Sequence, residues 1–346
     1  MRAEIRDISP GVRILAAVAA LVLTAVLAIA LGSVHIGFRD ILAAVGLGPE
    51  RDIGVAATHI VRLVRLPRVA TAAGAGAALG LAGLAMQTVF RNALAGPGVL
   101  GVSAGAGLGV AIVLLTGVGA SGAVATVPAA MAGAALVLVA AIAVNRAVGH
   151  PVLLLVMGLL FGYAASAVTT LLLASAPGQG LERYIVWSFG SFALPPGPGP
   201  VLLPAAAAIT AVGLAVAGPR VDALLLGPHY AESSGVHARR TQGIMIAVAG
   251  GLTGLVTAYA GPISFLGVAV PHIARGWIGR SQHRLLVPAT AILGGWLAIA
   301  ADLVARLPGN EHVLPLNAVL ALVGVPVVLV ILLRGRRSGD GEGLGL

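Results

Sequence analysis

The chain has 346 residues, of which 58% are hydrophobic and 10% are charged, and its formal net charge is +9. So few charges cannot cover the surface of a water-soluble protein, and the mean hydropathy of +1.02 is typical of a membrane protein. The chain has no Cys, which excludes thiolate metal sites and cysteine nucleophiles. All 21 basic residues are Arg, which excludes a Walker A ATPase site and a Schiff-base lysine.

Apolar stretches recur along the whole chain and are long enough to cross a bilayer as helices, which takes about 20 residues each. They are apolar on all sides and do not alternate as the strands of a transmembrane barrel do. We therefore predict an all-α polytopic membrane protein with ten transmembrane helices, forming a single domain over residues 1–346. The predicted spans lie near 14–32, 69–88, 97–117, 122–144, 151–174, 199–217, 242–260, 263–279, 286–305 and 313–333.

The distribution of Arg orients these helices, because cytoplasmic loops carry an excess of basic residues. Two thirds of the 21 Arg residues fall on one side if both termini are cytoplasmic. Most of the others lie in a single outer loop, namely Arg39, Arg51, Arg62, Arg65 and Arg68. Such a basic outer loop indicates either anchoring at lipid headgroups or docking of an acidic partner. No basic segment is interleaved with aromatic residues, so we expect no binding to nucleic acid.

Two short motifs resemble catalytic or nucleotide-binding signatures. The GxGxxG segment at 117–122 lies between two predicted membrane helices without a preceding strand, so it is a turn. The GxSxG segment at 101–105 leaves open an intramembrane serine hydrolase that uses Ser103, with His272 as its base. An ordinary packing role for Ser103 in a Gly-rich helix is the simpler interpretation.

Ion-coupled transport requires carboxylates inside the spans. Asp302 alone falls within a predicted span, near its outer end, and Arg306 four residues later predicts an ion pair on one helix face. A secondary transporter thus remains only an alternative. The eight His residues show no metal-ligand spacing on any helix, so we predict neither a metal site nor a cofactor.

Two segments carry specific motifs. Residues 65–109 contain RLPR, a Gly/Ala-rich stretch that ends in Gln87, and a match to RNPLAxPxxLGxxxGA, while residues 261–288 match GxIxFxGLxxPHxxR. Together with DLVAR at 302–306, they resemble the FecCD-type permease subunits of ABC importers for ferric siderophores, haem and vitamin B12. The chain departs from the family pattern at Ala93, Gly96 and Asn317.

The resemblance implies a type II ABC importer permease fold in the cytoplasmic membrane of a bacterium. The chain would be a transporter subunit without an ATPase site or catalytic residues. Its implied partners are two copies of an ABC ATPase subunit, a second permease subunit (a copy of itself or a paralogue), a substrate-binding protein and the lipid bilayer. The implied cargo is an iron chelate, with ferric siderophore first, then haem or cobalamin.

The resemblance also implies roles for particular residues. Residues 221–239 would form cytoplasmic coupling helices, in which Gly227 and Gly235 end two short helices. The expected ATPase contacts are Asp222, Leu226, Gly227, Ala231, Gly235 and Arg239. The expected binding-protein contacts are Arg65, Arg68 and Arg306. The candidates for the translocation pathway are Gln87, Asn92, Ser103 and Gly105.

Overall fold

The computed structural model describes residues 9–32, 34, 36–46, 55–117, 123–148, 151–176, 178–193, 197–306 and 314–339. Arg51 and most of the GxGxxG segment lie outside these ranges. The described part of the chain is helical and contains no strand. Its helices are α1 (Pro10–Ala30), α2 (Phe38–Ala44), α3 (Val55–His59), α4 (Leu66–Val89), α5 (Val102–Thr116), α6 (Ala123–Val148), α7 (Pro151–Ser175), α8 (Gly178–Ser188), α9 (Gly199–Val216), α10 (Gly218–Leu225), α11 (Pro228–Ser233), α12 (Ala238–Ala260), α13 (Leu266–Ile278), α14 (His283–Ala305) and α15 (Leu316–Gly339).

Each of the ten predicted spans coincides with one of the longer helices, which confirms the all-α polytopic fold. By length and apolar composition, 7 helices of the described chain can cross a membrane; α5 is a shorter apolar helix, and α15 has a shorter apolar part, Leu316–Pro326. The helix α13 spans only 13 residues. The sequence did not predict α2, α3 or α8, which are short and lie in the polar stretches between spans.

The helix α4 forms the centre of the bundle. It packs against α14, α9, α12 and α13. In the most apolar 18-residue stretch of the segment Ala56–Val89, which contains α4, 83% of the residues are buried, whereas the corresponding share in α1 is 11%. This burial follows from its composition, because Gly and Ala allow neighbouring helices to approach closely on several sides. A helix with bulkier side chains could not occupy this position.

Close glycine contacts set the helix crossings. Gly76 of α4 meets Gly294 of α14, and a Cβ on either residue would overlap the other's backbone carbonyl. A Cβ on Gly83 would likewise overlap the backbone carbonyl of Gly267 in α13. Gly105 of α5 lies against Gly133 of α6. These glycine positions are therefore packing surfaces.

The loop between α12 and α13 is held by Asn317, at the start of α15. The Asn317 Nδ2 donates to the carbonyl of Pro262 at 2.6 Å, and its Oδ1 accepts from the backbone N–H of Ser264 at 3.0 Å. The loop ends at Phe265, whose φ of 67° is unusual for a residue with a bulky side chain. Asn317 thus satisfies two backbone groups of a loop that leaves regular structure.

Candidate functional site

The predicted coupling segment folds as two short helices, α10 and α11. The residues just past their ends, Gly227 and Gly235, have φ values of 111° and 79°, which glycine adopts without strain. Leu226 is 66% exposed, and Tyr230 is also exposed. In contrast, Ala231 is buried against the rest of the chain. The segment therefore exposes the side chains of Leu226 and Tyr230, while Ala231 packs against the rest of the chain and holds the segment in place.

Asp222 of α10 belongs to a chain of hydrogen bonds that the sequence did not reveal. Its Oδ1 accepts from the backbone N–H of His283 at 3.1 Å and lies 2.6 Å from His283 Nδ1. On the other side of the ring, His283 Nε2 lies 3.0 Å from the hydroxyl of Thr88. Asp222, His283 and Thr88 therefore connect α10, the first turn of α14 and the last turn of α4; we call this set the α10–α4 bridge.

Arg68, Asp302 and Arg306 form an ion-pair cluster at the opposite end of α4 and α14, the outer end in the predicted orientation. Arg68 Nε donates to both carboxylate oxygens of Asp302, at 3.0 and 3.1 Å, and its Nη2 donates to Oδ1 at 2.9 Å. Arg306 Nη2 lies 2.9 Å from Oδ2. The predicted pairing of Asp302 with Arg306 is confirmed, and Arg68 is a second partner that spacing could not show.

Arg65 has a different environment from the other two candidate docking residues. It is 5% exposed, and its guanidinium donates to the carbonyls of Ile29 at 2.6 Å and Ala30 at 3.0 Å, as well as to Val34. The carbonyls of Ile29 and Ala30 lie in the last turn of α1, where helical partners are lacking, and that of Val34 lies in the segment just after it. Arg65 thus caps α1.

The residues proposed for the pathway occupy unlike positions. Gln87 is 2% exposed, and its Nε2 donates to the carbonyl of Val268 at 3.3 Å. Asn92 is exposed in the turn after α4, where its Oδ1 accepts from the N–H of Leu94 at 2.9 Å. Gly105 is buried at a helix crossing. The structure does not bring these residues together in one site within a single chain.

Ser103 lacks the partner that a serine hydrolase needs. Its hydroxyl lies 3.2 Å from the hydroxyl of Thr257, and His272 Nδ1 is bonded to the carbonyl of Val268, one turn earlier in its own helix. A nucleophile requires a base within hydrogen-bond reach, and Thr257 cannot serve as one. Within the described residues, no group of three or more His, Cys, Asp or Glu could hold a metal ion.

The described chain is a polytopic helical bundle with a buried glycine-rich centre and two short helices, α10 and α11, between longer ones. The family model of the FecCD transport family matches residues 20–334, and the chain belongs to this family. It is an ABC importer permease of this type and a multi-pass membrane protein, and permeases of this family have no ATPase site of their own.

Individual relatives cover most of the chain. It is 34% identical over 283 residues to a vitamin B12 import system permease protein of Vibrio cholerae, covering 81% of this chain and 84% of the relative. A cobalamin import system permease protein of Halobacterium salinarum is 35% identical over 276 residues, covering 79% of this chain and 73% of the relative.

A solved structure shares the fold. It is an inward-facing conformation of a metal-chelate type ABC transporter, with a TM-score of 0.81 and 24% sequence identity, and the match covers 93% of this chain and 98% of that one.

Proposed function

We propose that this permease passes an intact metal chelate into the cytoplasm, with cobalamin as its first candidate cargo and ferric siderophore as the second. The observation that carries this order is the similarity to vitamin B12 and cobalamin permeases over about four fifths of the chain. It replaces the order expected from the motifs alone, in which ferric siderophore came first. Asp302 is the one carboxylate within a predicted span, and it is neutralised by Arg68 and Arg306. Spans without a free carboxylate suit a large chelate better than a bare cation.

The energy for import would come from two copies of a separate ATPase subunit, seated against α10 and α11. The exposed side chains of Leu226, Tyr230 and Arg239 support this seating. Gly227, Ala231 and Gly235 would shape the contact by fixing the backbone, and Asp222 would hold α10 to the bundle. A second permease subunit, either another copy or a paralogue, would complete the pathway in the cytoplasmic membrane of a bacterium.

Docking of a substrate-binding protein is proposed for the outer cluster of Arg68, Asp302 and Arg306. Two guanidinium groups share one carboxylate there, which leaves one positive charge in excess. An acidic partner would be attracted by this charge in a salt-sensitive way. Arg65 supports docking only indirectly, by capping the end of α1. Replacement of Arg306 by Gln should weaken binding of the partner at low salt; unchanged affinity would contradict this role.

Roles along the pathway divide according to burial. Asn92 is exposed near the cytoplasmic end of α4 and is the candidate for contact with cargo at an inner gate. Gln87, Ser103 and Gly105 would act from within the wall, by fixing the helices that line the pathway.

The decisive experiment is import by the reconstituted complex. The permease would be incorporated into proteoliposomes with its ATPase, and loaded binding proteins would be supplied outside with radiolabelled cobalamin or a ferric siderophore. ATP-dependent accumulation of cobalamin with little uptake of iron is the expected result. Uptake of iron alone would select the siderophore, and accumulation of neither would overturn both candidate cargoes.

A further inference from the structure

The α10–α4 bridge connects the proposed ATPase seat to the central helix through the side chains of Asp222, His283 and Thr88 and the backbone N–H of His283. Asp222 is anchored on α10, four residues before the exposed Leu226. His283 begins α14 and is buried, and Thr88 is a buried residue in the last turn of α4. Each link is at hydrogen-bond distance, between 2.6 and 3.1 Å. These hydrogen bonds run without a break from α10 to α4, so a displacement of α10 would pull on α4 through them.

The hydrogen atoms available keep this bridge intact in two ways. Thr88 has one hydroxyl proton, and its oxygen lies 2.9 Å from the carbonyl of Leu84 and 3.0 Å from His283 Nε2. In the neutral ring Nδ1 carries the proton and donates to Asp222, and the Thr88 hydroxyl donates to the unprotonated Nε2. In the imidazolium both nitrogens carry a proton, so Nε2–H donates to the Thr88 oxygen and the hydroxyl donates to the carbonyl of Leu84. The connection is therefore kept in either charge state of the ring.

The bridge differs from the contacts of two other buried hydroxyls, those of Thr290 and Thr253. The Thr290 hydroxyl of α14 donates to the carbonyl of Leu286, one turn earlier in the same helix, at 2.7 Å. Thr253 bonds within α12 in the same manner. Bonds of that kind satisfy a buried hydroxyl, whereas Thr88 additionally reaches a residue of another helix. That helix is in turn bonded to α10.

We propose that His283 is a positioning residue that transmits movement of α10 to the cytoplasmic end of α4, with Asp222 and Thr88 as its two attachments. This inference rests on the proposed seating of the ATPase against α10 and α11. It gives a function to polar side chains at a buried position, where each of them needs a hydrogen-bond partner. It also gives a mechanical input to the central helix, which packs against α14, α9, α12 and α13.

The test uses the permease assembled with its ATPase in lipid nanodiscs. Hydrogen exchange at Met86–Val89 is measured with and without a non-hydrolysable ATP analogue, in the parent and in two variants. Thr88→Val removes the hydroxyl at constant shape. His283→Asn keeps a donor for Asp222 but cannot reach Thr88, and it serves if the first variant fails to fold. Thr290→Val is the matched control, because it removes an equally buried hydroxyl that bonds within its own helix.

The nucleotide-dependent change in exchange should fall about fivefold in both bridge variants, the weight of about one hydrogen bond, and should persist in Thr290→Val. Binding of the ATPase should be unchanged in all of them. A full response in the bridge variants, an equal loss in Thr290→Val, or no response in the parent would overturn the proposal. Failure of the parent to import a chelate, with its exchange response intact, would contradict the proposed cargo and still support the bridge.

Discussion

Arg13 and Trp277 each donate a hydrogen bond to the other's backbone carbonyl. Arg13 Nη1 lies 3.0 Å from the carbonyl oxygen of Trp277, and Trp277 Nε1 lies 3.0 Å from that of Arg13. Arg13 Nη1 also reaches the carbonyl of Ile278 at 3.0 Å. This reciprocal pair fastens the first turn of α1 to the last turn of α13, and a cation at a helix C-terminus is favoured by the helix dipole.

Replacement of Trp277 by Phe should weaken this attachment while keeping an aromatic ring at the position. We expect the free energy of unfolding to fall by about 0.5–1.5 kcal/mol, the usual worth of one hydrogen bond. Thermal unfolding of the purified permease in detergent measures the effect. Arg13→Met removes the other bond of the pair, and its cost should roughly add to that of Trp277→Phe, because each substitution leaves the backbone acceptor of the other bond in place. Unchanged stability in both single variants would contradict the reciprocal pair.

Replacement of Asp302 by Asn should be far more damaging. The Asp302 side chain is 3% exposed, and its loss of charge leaves Arg68 and Arg306 without a carboxylate in a largely buried place. Breaking a buried pair in this way costs about 3–5 kcal/mol. The yield of folded protein and its unfolding temperature should both drop. Glu182→Gln, at an exposed carboxylate of α8, is the control and should leave both unchanged.

A second variant separates charge from packing at the same cluster. Adding Arg306→Met to Asp302→Asn removes one of the two uncompensated cations, so the double variant should be more stable than Asp302→Asn alone. A further loss of stability in the double variant would show that Arg306 is held by contacts other than its ion pair with Asp302.

The close approach of α4 and α13 makes Gly83 intolerant of any side chain. A Cβ there would overlap the backbone carbonyl of Gly267, so Gly83→Ala should separate the helices and reduce folded yield severely. A Cβ on Gly251 of α12 would instead have no other heavy atom within 4 Å. Gly251→Ala should therefore be neutral or stabilising by up to about 1 kcal/mol, since Ala favours a helix over Gly. Equal behaviour of the two variants in thermal unfolding would refute this packing.

Loss of the Asn317 side chain should loosen the loop before α13. In Asn317→Ala, the backbone N–H of Ser264 loses its acceptor, and we expect its hydrogen exchange to quicken by about tenfold. Asn92→Ala, which removes a similar side-chain bond in the turn after α4, should leave Ser264 unaffected. Protection of Ser264 equal to that of the parent would mean that the loop is held by other contacts.

The positions of the long helices were predictable from the sequence, but which helices pack against each other was not. Apolar stretches fix where a span forms, because each must be long enough to cross a bilayer, and so each predicted span coincides with a helix. The spacing of Gly76 with Gly80, and of Gly101 with Gly105, is typical of helices that pack closely. Nothing in the spacing indicates that Gly76 meets Gly294, because that contact joins residues more than 200 positions apart.

The polar contacts of the candidate sites show the same limit. The pair Asp302 and Arg306 lies on one helix face, four residues apart, and was predicted from that spacing. Arg68 reaches the same carboxylate from 234 residues away, and His283 joins Asp222 across 61 residues. Arg65, predicted as a docking residue from its motif, turns inward because the π-helix at Ile60–Arg65 precedes α4 and places the guanidinium at the end of α1.

The two attachments of α1 have consequences for the order of synthesis. Its C-terminal end is capped by Arg65, which follows Ala30 by 35 residues. This contact can therefore form before most of the chain has been synthesised. Its inner end is fastened to Trp277, 264 residues after Arg13, and must wait until α13 has emerged. The hydrogen bonds at the two ends of α1 therefore form at different stages of translation, the one to Arg65 early and the one to Trp277 late.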